Sequence, residues 1–392
     1  MGDVRIVIIG GGVVGCAVAM ELSKGYDGIF LFEKNPGITQ GENQSSRNSG
    51  VIHSGIYYDQ ATRPLKAGLC VDGNRYLYEF CRTNHVPFLK CGKLIVASSN
   101  EEDRLLDLYL KRASENKVPG VRKITAERVK ELEPNVLALS ALDVPGAGIV
   151  DSASFVYRLH TLAQKGGVNF ISGTEVIGIN ARGGLYELLI RYPDGATDHV
   201  STAMVINSAG VNADLVAKMI NPRSLYEIDP ILGESYKFYS HKREDIHLGG
   251  RNIYPTPTTV QTDGDRHFTV GIHLTPTLHD LNPPFRTGST VTVGPRLRPL
   301  DDRNVSPEVL TPAEVFLEKV SRYFPGLLAK DLSIHQAGHQ ARLKGCRDFV
   351  IGEDPLNPGF VNLLGIDSPG LTSSISIAHR VRKIVDTFME ID

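Results

Sequence analysis

The stretch "RIVIIGGGVVGCAVAMELSKGYDGIFLFEKN", residues 5–35, constrains the fold more than any other part of the chain. A run of β-branched residues meets three glycines, continues as a helix with small residues on one face, and closes on a second apolar run at residues 29–32. The pattern predicts a βαβ unit and hence an α/β, Rossmann-like domain. Gly10, Gly12 and Gly15 stand at G-x-G-x-x-G spacing. The first lets the chain turn, the second lets a pyrophosphate approach the backbone, and the third lets helix and strand approach each other. Val13 and Val14 open the helix, whose N-terminal amides face the phosphates. Glu33 ends the second strand, with Lys34 after it, and its carboxylate is placed to take the ribose hydroxyls of an adenosine. An acid there disfavours the 2′-phosphate of NADP.

The fingerprint leaves FAD and NAD open, because both carry the same ADP half. Two further segments favour a flavin. "VINSAG", residues 205–210, reads as a buried strand ending in Ser208, Ala209 and Gly210, small enough for backbone to pass close to a ligand. "VNLLGIDSPGLTSSISIAHRVRKIV", residues 361–385, reads as strand, turn and amphipathic helix. Its turn carries Gly365, Ser368, Pro369, Gly370, Leu371 and Thr372, a second helix start whose amides suit the negative charge of a reduced flavin.

A chain of 392 residues corresponds to two or three ordinary domains and can bury a large core. A net charge of −2, with no dense run of Lys and Arg, argues against nucleic acid as a partner. Glycine interrupts the apolar stretches before they reach membrane-spanning length. No basic, apolar leader precedes the first strand, so a cytoplasmic protein is expected. The five cysteines are odd in number, scattered, and form no metal-ligand spacing, so free thiols and no metal site are expected.

Strand alternation and turn signals recur in "KLIVAS", "YELLIRYPDGATDHV", "RNIYPTPTTVQ", "HFTVGIHLT" and "STVTVGP". They predict an antiparallel sheet inserted into the nucleotide-binding fold. "EEDRLLDLYLKRASENK" and "TPAEVFLEKVSRYF" read as helices with solvated faces. The expected division is a discontinuous cofactor domain at residues 1–84, 146–220 and 340–392, with an α+β substrate domain at 85–145 and 221–339.

Several motifs together resemble the FAD-dependent oxidoreductases of the D-amino-acid-oxidase type, and within them the L-2-hydroxyglutarate dehydrogenase/oxidase group. They are "GGGVVGCAVAMEL", "RNSGVIHSGIYY", "LKAGLCVDGNRYLYEFC", "CGKLIVA", "VINSAG", "IYPTP", "GIHLT", "VGP" and "SPGLTSSISIA". The resemblance runs almost end to end and implies a glutathione-reductase-like fold with FAD as cofactor. It implies that Ser45, Ser46, Arg47, Asn48, Ser49 and Gly50 wrap the flavin, and Val176 joins this cofactor set. His53 is then near the ring, and Tyr57 and Tyr58 face the substrate.

Oxidation of a 2-hydroxy acid removes the hydroxyl proton as hydride leaves C2 for flavin N5, with the substrate carboxylate held in place. His273, in "GIHLT", is the first candidate base, and His53, which also suits a purely structural hydrogen-bonding role, is the second. Where the family carries Arg in a short G-[IV]-R-[AP] segment, this chain reads "AGHQARLKG", with Gln340 at that place. Arg342 or Lys344 is then expected to hold the carboxylate, with Tyr236 and Lys237 as further candidates for a second one. Electrons must leave to an external acceptor, whether oxygen, a quinone or an electron-transfer flavoprotein. Relatives that feed quinones imply peripheral contact with the inner face of a membrane. Oxidation of glycerol 3-phosphate or an amino acid, a non-catalytic flavin protein, and an NAD-only dehydrogenase remain open beside the leading reading.

Overall fold

A computed structural model describes residues 4–41, 43–262, 265–280, 282–300, 303 and 310–390. The expected βαβ unit is present as β1 (Ile6–Ile9), α1 (Val13–Leu22) and β2 (Ile29–Glu33). β1 lies inside a six-stranded sheet whose order is Val350–Asp354, Asn357–Leu364, Met204–Asn207, β1, β2, Asn169–Ser172. All pairs are parallel except the first, which is antiparallel.

Every residue of β1 is buried, as a parallel strand covered on both faces requires. Ile6 and Ile8 point into a helical layer formed by α1, Ser152–Lys165 and Gly370–Met389. Val7 and Ile9 point the other way, onto a three-stranded sheet of Glu175–Arg182, Leu185–Arg191 and Thr197–Thr202. The Pro193-Asp194-Gly195 turn thus forms the predicted hairpin but not as part of the inserted sheet. Its apolar side, Tyr186, Leu188 and Ile190, covers the nucleotide-type sheet instead.

The second large sheet has eight strands in the order Leu332–Leu343, Ile228–Tyr239, Thr287–Pro299, His273–Leu278, Asn252–Pro255, Lys93–Ala97, Ser140–Val144, Arg122–Thr125. It is antiparallel apart from one pair: Asn252–Pro255 runs parallel to Lys93–Ala97. These segments are far apart in sequence, so no turn signal foretells their orientation. The strand holding residue 340 belongs whole to this sheet, and the division expected at that residue falls inside it. No helix among the described residues is long and apolar enough to cross a membrane. Among them there is also no group of three or more His, Cys, Asp or Glu able to hold a metal ion.

Candidate active site

A cleft of about 680 Å³ opens where the carboxyl ends of the parallel strands meet the edge strand Leu332–Leu343. Its first wall is the glycine turn after β1. Gly10 has φ +104°, and a Cβ there would lie 2.5 Å from the Ser208 carbonyl oxygen, so this position belongs to the fold. A Cβ on Gly15 would lie 1.9 Å from the Gly10 carbonyl oxygen, which makes it the close helix–strand contact. Gly12 differs: its φ is −70°, and a Cβ would meet only the Ser45 hydroxyl, at 3.1 Å. Nothing in the protein requires a glycine there, but the position faces the cleft together with Val13 and Val14.

Glu33 is buried behind this turn. Its carboxylate accepts from the Gly11 amide at 2.7 Å and from the Asn35 amide and side chain at 2.8 and 2.7 Å. The acid therefore braces the turn. Lys34 is exposed beside it, and Val176 is buried in the core beneath the sheet, outside the cleft. Ser208 closes the turn by donating to the carbonyls of Ile9 and Gly10 at 2.9 and 3.1 Å. Gly210 lines the cleft, whereas Ala209 does not.

The second wall is the segment from Ser45 to Gly50. The Ser45 hydroxyl accepts the Val13 amide at 2.8 Å, joining this loop to the start of α1. Arg47, Asn48 and Ser49 line the cleft with it. Ser46 turns back to the Thr39 and Asn43 carbonyls, and Gly50 donates its amide to the Asn48 side chain at 2.8 Å. The third wall is the start of the helix Gly370–Met389: Gly365, Ser368, Pro369, Gly370 and Leu371 all face the cleft. Thr372, fully buried, accepts the His53 amide at 3.0 Å and so fixes that loop against the helix. Two helix N-termini, each with amides that lack intrahelical partners, thus open on one cavity.

Both candidate histidines reach this cavity. His273 lies on His273–Leu278, with Nδ1 3.2 Å from the Thr275 hydroxyl and its ring stacked on Tyr254 at 3.8 Å and 10°. Burial, then Lys93 and then His53, push its titration well below the ordinary histidine range, so the ring is neutral. His53 is held down in the same way by burial and Lys93. Its Nε2 lies 3.4 Å from the Ser368 hydroxyl, while its buried Nδ1 has no hydrogen-bond partner among the described residues. Tyr57 and Tyr58 line the cleft, and burial raises both phenols, which therefore stay protonated donors.

The carboxylate candidates separate sharply. Gln340 and Arg342 are two apart on one strand, so they share a face, and both line the cleft. Arg342 Nε sits 4.0 Å from Asp367, whose other oxygen holds Lys66 at 2.6 Å. Lys344 lies past the strand end, where it also lines the cleft but is 61% exposed and paired with Glu227 at 3.2 Å. Tyr236 is not in the site. Alternation along Ile228–Tyr239 leaves Gly233 and Ser235 facing the cleft and turns the Tyr236 ring, with Phe238, into the opposite core, where it packs on Phe316 and donates to the Thr311 carbonyl at 2.8 Å. Lys237 is likewise outside the cleft lining.

Four basic residues near these were not picked out from the sequence. Arg63, Lys66 and Arg347 line the cleft beside Arg342, and Lys93 lies behind it. Arg63 stands at the start of α2 (Pro64–Asn84), its guanidinium 5.4 Å from the Tyr58 ring centroid and donating to the Tyr57 carbonyl at 2.9 Å. Its signal was the Arg63-Pro64 step opening a helix shortly after "GIYY", across the short link of residues 59–62.

A glycine-rich strand-to-helix turn, an acid behind it and a buried neutral histidine on a second sheet together define a dinucleotide-dependent redox site. The comparisons agree with that class. Residues 5–384 match the family described as FAD dependent oxidoreductase, and the chain belongs to it. It is 31% identical to the mitochondrial L-2-hydroxyglutarate dehydrogenase of Arabidopsis thaliana, over 96% of this chain and 82% of that protein. It is 30% identical to the glycerol 3-phosphate dehydrogenase of Caloramator mitchellensis, over 97% of this chain and 73% of that one. Among solved structures, the FAD-bound L-α-glycerophosphate oxidase of Mycoplasma pneumoniae superposes with a TM-score of 0.84 at 24% identity, covering 98% and 95% of the two chains.

The cleft is consistent with the cofactor of this family. A side-chain-free face at Gly12, two helix starts, and two buried atoms without partners among the described residues, His53 Nδ1 and the Tyr254 hydroxyl, are features a large polar ligand would satisfy.

Proposed function

We propose that this chain is a dehydrogenase or oxidase that converts L-2-hydroxyglutarate, or a closely related 2-hydroxy acid, to the 2-oxo acid and passes the electrons to an external acceptor. The observation that carries this reading is His273, a neutral buried base that shares one cleft with Tyr57, Tyr58 and Arg342. With Nδ1 engaged by Thr275, Nε2 is the nitrogen that takes the substrate hydroxyl proton. Arg342 holds a carboxylate, and the tyrosine hydroxyls donate to the substrate oxygens. In this assignment Gly12, Val13, Val14, Ser45 and Arg47 to Ser49 would hold the cofactor pyrophosphate, and Gly365 to Leu371 with His53 would hold the ring. Bound FAD supplies the two-electron acceptor for the hydride of C2.

The test is the visible spectrum of the FAD-loaded protein under anaerobic conditions with L-2-hydroxyglutarate, its D isomer, L-lactate, glycerol 3-phosphate and several amino acids. Bleaching by the L-diacid alone is the expected result. Bleaching by glycerol 3-phosphate instead would overturn the substrate assignment and favour the relationship to the Caloramator protein; reduction by dithionite only would leave a non-catalytic flavoprotein.

Arg342→Ala is expected to keep its FAD and to weaken substrate binding by roughly ten- to a hundredfold, the scale of one charge-assisted hydrogen bond. Flavin reduction followed against substrate concentration checks this. An unchanged half-saturating concentration would move the carboxylate to Arg63.

A further inference from the structure

Lys93 is 2% exposed, on the strand Lys93–Ala97. Alternation along that strand sends Leu94 and Val96 into one core and Ile95 and Ala97 into another, so position 93 falls on the Ile95 face, where an apolar residue is the default. Its ammonium instead lies 3.8 Å from the Tyr254 ring centroid and 5.2 Å from that of Tyr57. Tyr254 carries the stacked His273 ring at the same separation, 3.8 Å, so ammonium, phenol and imidazole form a stack that ends at the cleft.

The groups packed around Lys93 can be named element by element. Asn252 and Tyr254 come from the neighbouring parallel strand, His273 from the next one, and His53 and Tyr57 from the loop beyond the Ser45–Gly50 wall. Cys70 comes from α2, and Cys91 lies just before the strand itself. None of these is an anion at neutral pH: burial pushes the two thiols up to about 12 and about 11, and it raises both phenols. Among the described residues Lys93 makes no ion pair. A buried ammonium without a counter-ion is costly, and cation–π contact offsets only part of the cost.

We infer that Lys93 is a positioning residue whose charge, unanswered within the described protein, selects anionic ligands and draws a substrate carboxylate toward the His273 end of the cleft. This rests on reading the cleft as the substrate site. The ammonium acts through the tyrosine rings and touches no ligand. A unit charge about 8 Å away at an effective dielectric near 20 changes an anion's affinity by roughly thirtyfold.

Desolvation lowers Lys93 to about 7, so near neutrality the free protein holds this proton only in part. Anion binding would raise the value and take up a proton. For stability the sign is opposite to that of a paired lysine. The folded value is depressed from 10.5 to about 7, so between those pH values the unfolded chain holds a proton that the folded one has lost. Stability from this group rises across that window, and the full penalty is present below it.

The experiment is calorimetric titration of the FAD-loaded protein with 2-oxoglutarate and with oxalate at pH 7.5, in two buffers of different ionisation heat. It is paired with melting temperatures of FAD-loaded and FAD-free protein at pH 6. Wild type is expected to take up a proton on binding. Lys93→Met should bind each anion about ten- to thirtyfold more weakly, take up no proton, and melt higher at pH 6. Lys93→Arg, which keeps a charge that does not titrate here, should retain binding without uptake. Equal affinity and equal uptake in wild type and Lys93→Met, a lower melting temperature for Lys93→Met, or no anion binding by wild type would each overturn the inference. Oxalate is no substrate of the proposed reaction, so this outcome is independent of whether L-2-hydroxyglutarate bleaches the flavin.

Discussion

Gly12→Asp is expected to fold and to be colourless. The three glycines of the turn do different work, and their local geometry separates them. At Gly10 a side chain would collide with the Ser208 backbone, and at Gly15 with the Gly10 carbonyl, so substitution there damages the protein itself. At Gly12 the backbone is ordinary and, among the described residues, a Cβ meets only the Ser45 hydroxyl, at 3.1 Å, which a small shift relieves. A side chain at 12 therefore enters the cleft, at the start of a helix whose dipole favours anions. A carboxylate there occupies the place of the pyrophosphate and repels it. The ratio of flavin to protein absorbance measures the loss, and the far-ultraviolet circular dichroism of the variant shows whether folding survives. Normal flavin content in Gly12→Asp would remove this turn from cofactor binding.

The second large effect is on rate. His273→Ala should retain FAD and slow substrate-dependent flavin reduction by about a hundredfold or more, the usual contribution of a positioned base. Burial makes His273 a weaker proton acceptor in the resting protein, yet it also keeps the ring in the neutral form. A base acts while unprotonated, and this one protonates only well below 6.5. The reduction rate should therefore show no fall attributable to it between pH 8 and pH 6. An acid limb centred near 6.5 that disappears in His273→Ala would contradict the burial described here. An unchanged rate in the variant would pass the role to His53.

How far these features were legible depends on whether their causes are local. The βαβ unit was readable because strand period, glycine spacing and helix periodicity all sit within 31 consecutive residues, 5–35. The 185–202 hairpin was readable for the same reason, through its Pro-Asp-Gly turn. Which sheet it joins was not, because that depends on how Tyr186 and Leu188 meet Val7 and Ile9 across a long stretch of chain. The parallel pairing of Asn252–Pro255 with Lys93–Ala97 was hidden likewise. Tyr236 misled because nothing local says which face of its strand meets the cleft; alternation places it with Phe238 on the core face. Lys93 stood in a quoted motif, but nothing local says that a lysine in an apolar strand will lie beneath two tyrosines and beside two histidines. Arg342 was readable once Gln340 was noticed, since positions two apart on a strand share a face.

Synthesis delivers β1 well before its neighbour Met204–Asn207 and the strand beyond, Asn357–Leu364. The helix Gly370–Met389, which packs on α1 and lines the cleft, comes later still. A growing chain therefore carries an unfinished sheet with exposed apolar strands until those later strands are made, a state that invites chaperone protection. Cofactor capture waits for the same event. The cleft acquires its third wall only when residues 365–371 have emerged, so loading with flavin follows the synthesis of that helix start.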